Sequence, residues 1–405
     1  MNRPDHLRRL EAVLDIARTS LPLLVTPAPE AGAEQQAFRR EKFLCETALL
    51  AYAAGTVPEV RASVLRLAEL LAPHARSPEI LTLMRIRPVM APELSFAHAC
   101  LTTLGLVDPS FEQALQRIGA EGHPPPERAP WKDIEGDWLS CRCPVFQRLP
   151  GLDKSILRTT LVTGLDALSS RREDLYAFTH ALIYLSDFGR KPPQFPRHAG
   201  LVLQDAGAAL ARSLDEDDFD LCAELLMSWP YLRQPLSPTA RFGLQVLCAV
   251  EDEVGYLPSL GLAASELAGL STESRRRTVL DEAYHTIYVM GLLMAALLQA
   301  GMPGSAPSPP PPQTPGASEA LLRLMPERSP RPQWERKFDR LAAAEREALA
   351  DMLAAIALRR ALMRHDLRRL RDILACCVSY RLTDQVTVQQ AGQLLGRFTE
   401  ERSVA

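Results

Sequence analysis

The chain has 405 residues, of which 47% are hydrophobic and 6% aromatic, so it is a folded globular protein and not a disordered one. Its 46 basic and 49 acidic residues leave a formal charge of −3, too balanced for a nucleic-acid or anionic-membrane partner. At this length one compact core rarely suffices, and the expectation is a large body plus an appendage.

Nearly every periodic segment reads as helix and none alternates as a strand does, so the predicted fold class is all-α. Residues 6–24 are amphipathic and lead into a linker, 26–36, rich in Pro, Ala, Gly and Glu. Helices follow at 38–54, 59–71, 78–86 and 92–104, each stopped by a nearby Gly or Pro, and a short one at 111–118. Residues 121–150, with prolines at 124, 125, 126, 130 and 144, read as a long non-helical connection. Trp131 and Trp138 within it favour a packed loop or binding lid. Helices resume at 154–168, 175–189, 201–213, 217–229 and 237–250, and 257–270 is less regular.

Ser271-Thr-Glu-Ser opens the longest helix, which runs to Ala300. Residues 301–317, with Pro-Ser-Pro-Pro-Pro-Pro, read as a stiff linker, and 318–405 as a C-terminal helical hairpin with a last amphipathic piece at 386–398. The expected division is therefore an N-terminal helix and linker (1–36), a main domain (37–300), the linker (301–317) and the hairpin (318–405). Phe96-Ala-His98, Phe178-Thr-His180 and Tyr284-His285 form a loose internal repeat, which suggests stacked helical pairs in a solenoid-like or α/α-toroid body.

The first eleven residues are charged with no apolar core behind them, so no signal peptide is expected. Residues 286–298, the longest apolar run, fall short of the ~20 a membrane span needs. A soluble cytoplasmic protein without membrane insertion is the expectation. The eight cysteines do not suggest a secreted disulfide framework, and Cys141-Arg-Cys143 has no second pair at zinc spacing. Five basic residues are lysines and the rest arginines, a bias that fits GC-rich bacterial coding.

The chemistry-bearing stretch is 175–189. Leu175, Phe178, Leu182 and Leu185 make an apolar stripe. Tyr176, His180, Tyr184 and Asp187 make a second, polar stripe. An imidazole between two phenols with a carboxylate beyond suits a general base, a haem ligand or a metal ligand in a lined pocket. It equally suits a buried polar ladder that holds helices in register. His98, His180 and His285 could share a metal if the repeat brings them together. Glu282-x-x-His285 is half of a di-iron motif, but no second Glu-x-x-His is present. The acidic run at 215–220 reads better as solvated helix capping than as a metal site. No Walker loop, G-x-G-x-x-G, G-x-S-x-G or H-E-x-x-H occurs.

Thr179-His180…Tyr184…Asp187-Phe188-Gly189 resembles the signature of an uncharacterised actinobacterial family, a domain of unknown function, over about residues 36 to 300. The resemblance implies that Thr179, His180, Tyr184, Asp187 and Gly189 form the characteristic site, and it implies no particular reaction. Two functions are expected from this reading. One is a ligand-binding protein or enzyme of bacterial specialised metabolism, with a small molecule in a polar cavity around His180. The other is a non-catalytic helical scaffold that binds a protein partner.

Overall fold

The helical periodicity is realised across the described residues. In the computed structural model, which describes residues 2–25, 33–120, 127–146, 151–260, 271–301 and 315–404, the fold is all-α, with no strand among the described residues. None of their helices is long and apolar enough to cross a membrane. The linkers read at 26–36 and 301–317 and the irregular stretch at 257–270 fall largely outside the described residues.

The chain divides into two compact units that interleave along the sequence. The first takes Met1–Thr159, His180–Gln194 and Leu257–Pro303, and the second Thr160–Thr179, Phe195–Tyr256 and Gly304–Ala405.

In the first unit the long helix Thr272–Gln299 packs against Arg3–Leu24 and Ala33–Ala54. Gly291 makes that approach feasible: a Cβ there would lie 2.7 Å from Leu50 and 2.8 Å from Val13. Arg3 closes the end of the bundle, with Nη2 2.6 Å from Glu59 and Nη1 donating to the carbonyl of Leu298 at 3.1 Å. Phe43, Tyr284 and Tyr288 stack edge to face inside, and the Thr47 hydroxyl meets Tyr288 at 3.3 Å.

In the second unit the Ala-rich helix Ala199–Asp215 is buried along most of its length and packs against Phe219–Leu226, Pro238–Val254 and Ala350–Met363. Asp215 ends this helix, where a carboxylate opposes the helix dipole. Arg360 offsets that, with Nη2 2.5 Å and Nε 3.0 Å from its oxygens, and the Trp334 indole donates to it at 3.1 Å. Both charged side chains are only 7% exposed.

The C-terminal helices, read from sequence as a hairpin from residue 318, fall within the second unit. Ala350–Met363 packs on Ala199–Asp215 and sends Arg360 to Asp215, and Ala317–Leu324 packs in turn on Ala350–Met363 and Leu367–Ser379. Three expectations change locally. Pro130–Ser140 is helical, with Pro130 in the first turn and Ile134 and Trp138 buried at helical spacing. The stretch 154–168 breaks into Leu152–Leu157 and Thr160–Thr163, ended by left-handed Gly164. The helix at 92–104 splits into Ala91–Leu94 and Phe96–Thr103 at Ser95.

Two predictions follow from buried charge. The His6 ring is 1% exposed with neither nitrogen hydrogen-bonded. Burial holds its pKa below the ordinary value, as it does for His98, and nearby Asp5 only partly opposes this. The folded state thus disfavours protonation, so this stability is present above about pH 6.5 and is lost as pH falls below it. His6→Leu should raise the melting temperature, by about 1 kcal/mol of stability, and flatten the acid side of the profile. A lower melting point would show that the ring is answered in solution. Separately, Arg360→Met removes the closest cation from the buried Asp215 carboxylate, leaving it only Trp334 and the more distant Arg328, and should cost about 3 kcal/mol in urea unfolding. A loss under about 1 kcal/mol would mean that this pair does not hold the C-terminal helices.

Candidate functional site

The chemistry-bearing helix is Arg172–Leu185, shorter than the stretch read from sequence. Glu173 and Asp174 sit in its first turn, and Leu175, Phe178 and Leu182 are buried as the apolar stripe requires. Its polar stripe does not converge on one point. Successive residues turn to different partners.

Two of them belong to the second unit. The Tyr176 hydroxyl donates to Asp220, and burial with that carboxylate beside it pushes the phenol's pKa up. Thr179 donates to Glu224 at 2.5 Å. Arg172 lies over the Tyr176 ring and forks onto Asp218 at 2.6 and 3.0 Å. Asp218 also caps Phe219–Leu226, as expected of that acidic run. The run is not solvated, however: Asp215, Asp218 and Asp220 are 5%, 1% and 6% exposed. Arginines, a phenol and an indole bond their oxygens.

His180, Tyr184 and Asp187 belong to the first unit, on Pro130–Ser140. The His180 ring stands edge-on to Trp131, with centroids 4.8 Å apart, and its centroid is 6.4 Å from that of Tyr184. The Tyr184 hydroxyl donates to Glu135 at 2.8 Å, and the other Glu135 oxygen pairs with Lys132 at 2.5 Å. The Lys132 ammonium lies 4.5 Å from the centre of the Trp131 ring. The five groups thus form a circuit: imidazole, indole, ammonium, carboxylate and phenol. Burial, with Glu135 adjacent, raises the pKa of Tyr184 well above the ordinary value, so the phenol stays protonated as the donor. Trp131 and His180 are only half-buried, whereas Tyr184 is buried.

Asp187 lies beyond the helix end. Asp187, Phe188 and Gly189 all have positive φ, at 52°, 55° and 81°. Two consecutive non-glycine residues in that region cost about 1–2 kcal/mol each and persist only when their surroundings enforce it. Here Asp187 Oδ1 accepts from Tyr52 at 2.7 Å, from Trp138 at 2.8 Å and from Arg142 at 2.5 Å. Phe188 is held among the rings of Tyr52, Trp138 and Tyr184. The Arg142 guanidinium stacks 3.9 Å over Trp138 and that of Arg190 3.9 Å over Tyr52. Burial lifts the Tyr52 phenol to about 12, aided by its bond to Asp187 and opposed by Arg142.

The three metal-ligand histidines do not gather into one group of ligand atoms among the described residues. His98 Nδ1 accepts from Arg76 at 3.0 Å, and its Nε2 meets Glu112 at 3.0 Å, which leaves no lone pair for a metal. His285 pairs with Glu46 at 3.0 Å. The aromatics that precede the three histidines, Phe96, Phe178 and Tyr284, are all buried. Tyr52, Lys132, Glu135 and Arg142 were not anticipated. The spacing of Trp131, Ile134 and Trp138 is the one sequence signal that could have placed Lys132, Glu135 and Arg142, through the helical reading of that stretch.

Asp187→Asn tests what the carboxylate charge contributes. Asparagine tolerates the left-handed backbone and keeps an acceptor, so the change isolates the ion pair with Arg142. Asp187→Asn should lower stability by about 1–2 kcal/mol and Asp187→Ala by about 3 kcal/mol, read from thermal melts. Wild-type melting in both variants would show that the three donors do not hold the turn.

Residues 10–295 match a family described as a domain of unknown function, DUF6895. No curated protein and no solved structure matches the chain. The matched stretch carries the Trp131–His180 circuit and the Asp187 turn and spans more than half of the sequence, so the chain belongs to the DUF6895 family.

Proposed function

We propose that the chain binds a small molecule at the surface formed by Trp131 and His180, as a ligand-binding protein or an enzyme. The observation that carries this reading is a contrast in burial within one circuit. Tyr184 is buried and bonded to Glu135, yet the imidazole and the indole next to it are half-buried. The Trp131 indole keeps part of its surface in water, and a ligand with a planar or apolar portion would complete its burial. His180 brings the one side chain whose unperturbed proton exchange falls between pH 5 and 8, suited to donate or accept a proton from such a ligand. Lys132 and Glu135 hold each other and fix the indole, so they act as positioning residues.

The reading extends to a soluble bacterial protein of the cytoplasm. It draws support from the arginine-rich, lysine-poor composition and from the lack, among the described residues, of a helix fit to cross a membrane.

A thermal-shift screen of a metabolite library on wild-type protein, repeated on Trp131→Ala and His180→Ala, tests the proposal. Ligands that raise the wild-type melting temperature should bind each variant at least about tenfold more weakly, equivalent to about 1.4 kcal/mol. Both variants should melt within a few degrees of wild type. If the ligands found bind both variants as they bind wild type, the site is elsewhere. If His180→Ala unfolds the protein and the screen yields no ligand, the circuit is structural.

A further inference from the structure

The second unit holds a cavity of about 610 Å³, within the range of small-molecule sites. Its walls come from residues 163–166, 168 and 169, from Arg197 and Asp205, and from eight residues between 362 and 397 in the C-terminal helices. Leu362, Met363, Val386 and Leu394 supply apolar surface.

Asp205 is the unusual member. Its residue exposure is 0%, and its two oxygens are treated differently. Oδ2 accepts the backbone N–H of Leu165 at 2.9 Å and Arg197 Nη1 at 2.7 Å. Oδ1 is buried and accepts nothing. Arg197 uses Nη1 alone for its described bonds, the second being to the carbonyl of Leu161 at 3.3 Å. A guanidinium and a carboxylate often close two parallel bonds, and here only one is closed.

The frame around them is hydrogen-bonded on two sides. Gln390 bonds both the Ala167 N–H and the Leu165 carbonyl, and Arg359 bonds the carbonyl of Leu168 at 2.6 Å. A desolvated, unbonded carboxylate oxygen is costly, and native structures satisfy such atoms with water or a ligand. Since Arg197 already offsets the charge of Asp205, no cationic ligand is required.

We infer that this cavity binds a neutral molecule with an N–H beside a carbonyl, an amide edge, on an apolar body. The N–H donates to Asp205 Oδ1, the carbonyl accepts from the free edge of Arg197, and the body lies against Leu394 and Met363. The site is separate from the Trp131–His180 surface and does not depend on that reading.

The test uses benzamide as the probe, with N,N-dimethylbenzamide, which keeps the carbonyl but has no N–H, as its control. Binding to the full chain is followed by saturation-transfer NMR and calorimetry at millimolar concentration. Wild-type protein should bind benzamide at least about tenfold more tightly than the dimethyl compound, the effect of one hydrogen bond to a charged group. Asp205→Asn can present an amide N–H where Oδ1 stood while keeping the acceptor for Leu165 and Arg197, and should weaken benzamide by a similar factor. Leu394→Trp fills the cavity without touching Asp205 and should abolish binding, with melting curves reporting that each variant is folded. If Asp205→Asn does not fold, the comparison of the two amides and Leu394→Trp decides. Failure of wild type to bind benzamide, equal binding of the two amides, or binding unchanged in a folded variant overturns the proposal and leaves ordered water as the partner of Oδ1.

Discussion

A single carboxylate oxygen organises the first unit. Asp187 Oδ1 takes a phenol and an indole from two other helices and a guanidinium from just beyond one of them, and by doing so holds its own backbone in a region that L-residues avoid. Two of the donors, Trp138 and Arg142, lie in or just beyond Pro130–Ser140, the helix that also carries Trp131, Lys132 and Glu135. The third, Tyr52, ties in Ala33–Ala54. The Asp187 turn thus fixes where the Trp131 helix lies against Tyr184 and His180. The functional stripe is arranged by a residue outside its own helix, which ends at Leu185.

The outline of the fold was legible because helices announce themselves by period and by their stops. The all-α class and most helix positions follow from apolar residues three and four apart, bounded by Gly and Pro. Proline misled at 121–150, where its density suggested irregular chain. One of those prolines, Pro130, occupies the first turn of a helix, the position where a missing N–H costs nothing. The described compact units are set by long-range partners such as Arg360 for Asp215, which no local pattern reveals.

The candidate site was legible by composition and not by partnership. The sequence picks out Tyr176, His180, Tyr184 and Asp187, because such residues rarely share one stripe without purpose, and the resemblance adds Thr179. What each side chain meets depends on residues dozens of positions away. Asp220, Glu224, Glu135 and Tyr52 are at separations of 44, 45, 49 and 135. Choosing between pocket and ladder from one stripe assumed that it acts as a unit. Its members in fact differ: Tyr184 and Asp187 are tied into bonded networks, and His180 lies beside a half-buried indole.

The helix Ala199–Asp215 offers an internal control for how this protein treats a buried carboxylate. Asp205 and Asp215 lie on the same helix, both nearly free of solvent contact, and both pair with an arginine. At Asp215 each oxygen is answered, by Arg360, Arg328 and Trp334. At Asp205 one oxygen is answered twice and the other not at all. A helix that satisfies one acid so fully is not limited by poor packing or scarce donors. The difference lies in what faces each residue: a tryptophan and arginines of the C-terminal helices at Asp215, and a cavity at Asp205. Much of that cavity's wall comes from residues 362–397, beyond the family's matched stretch at 10–295. Residues outside the family match therefore enclose a carboxylate inside it, and the oxygen they leave unbonded marks where a ligand's donor would complete the site.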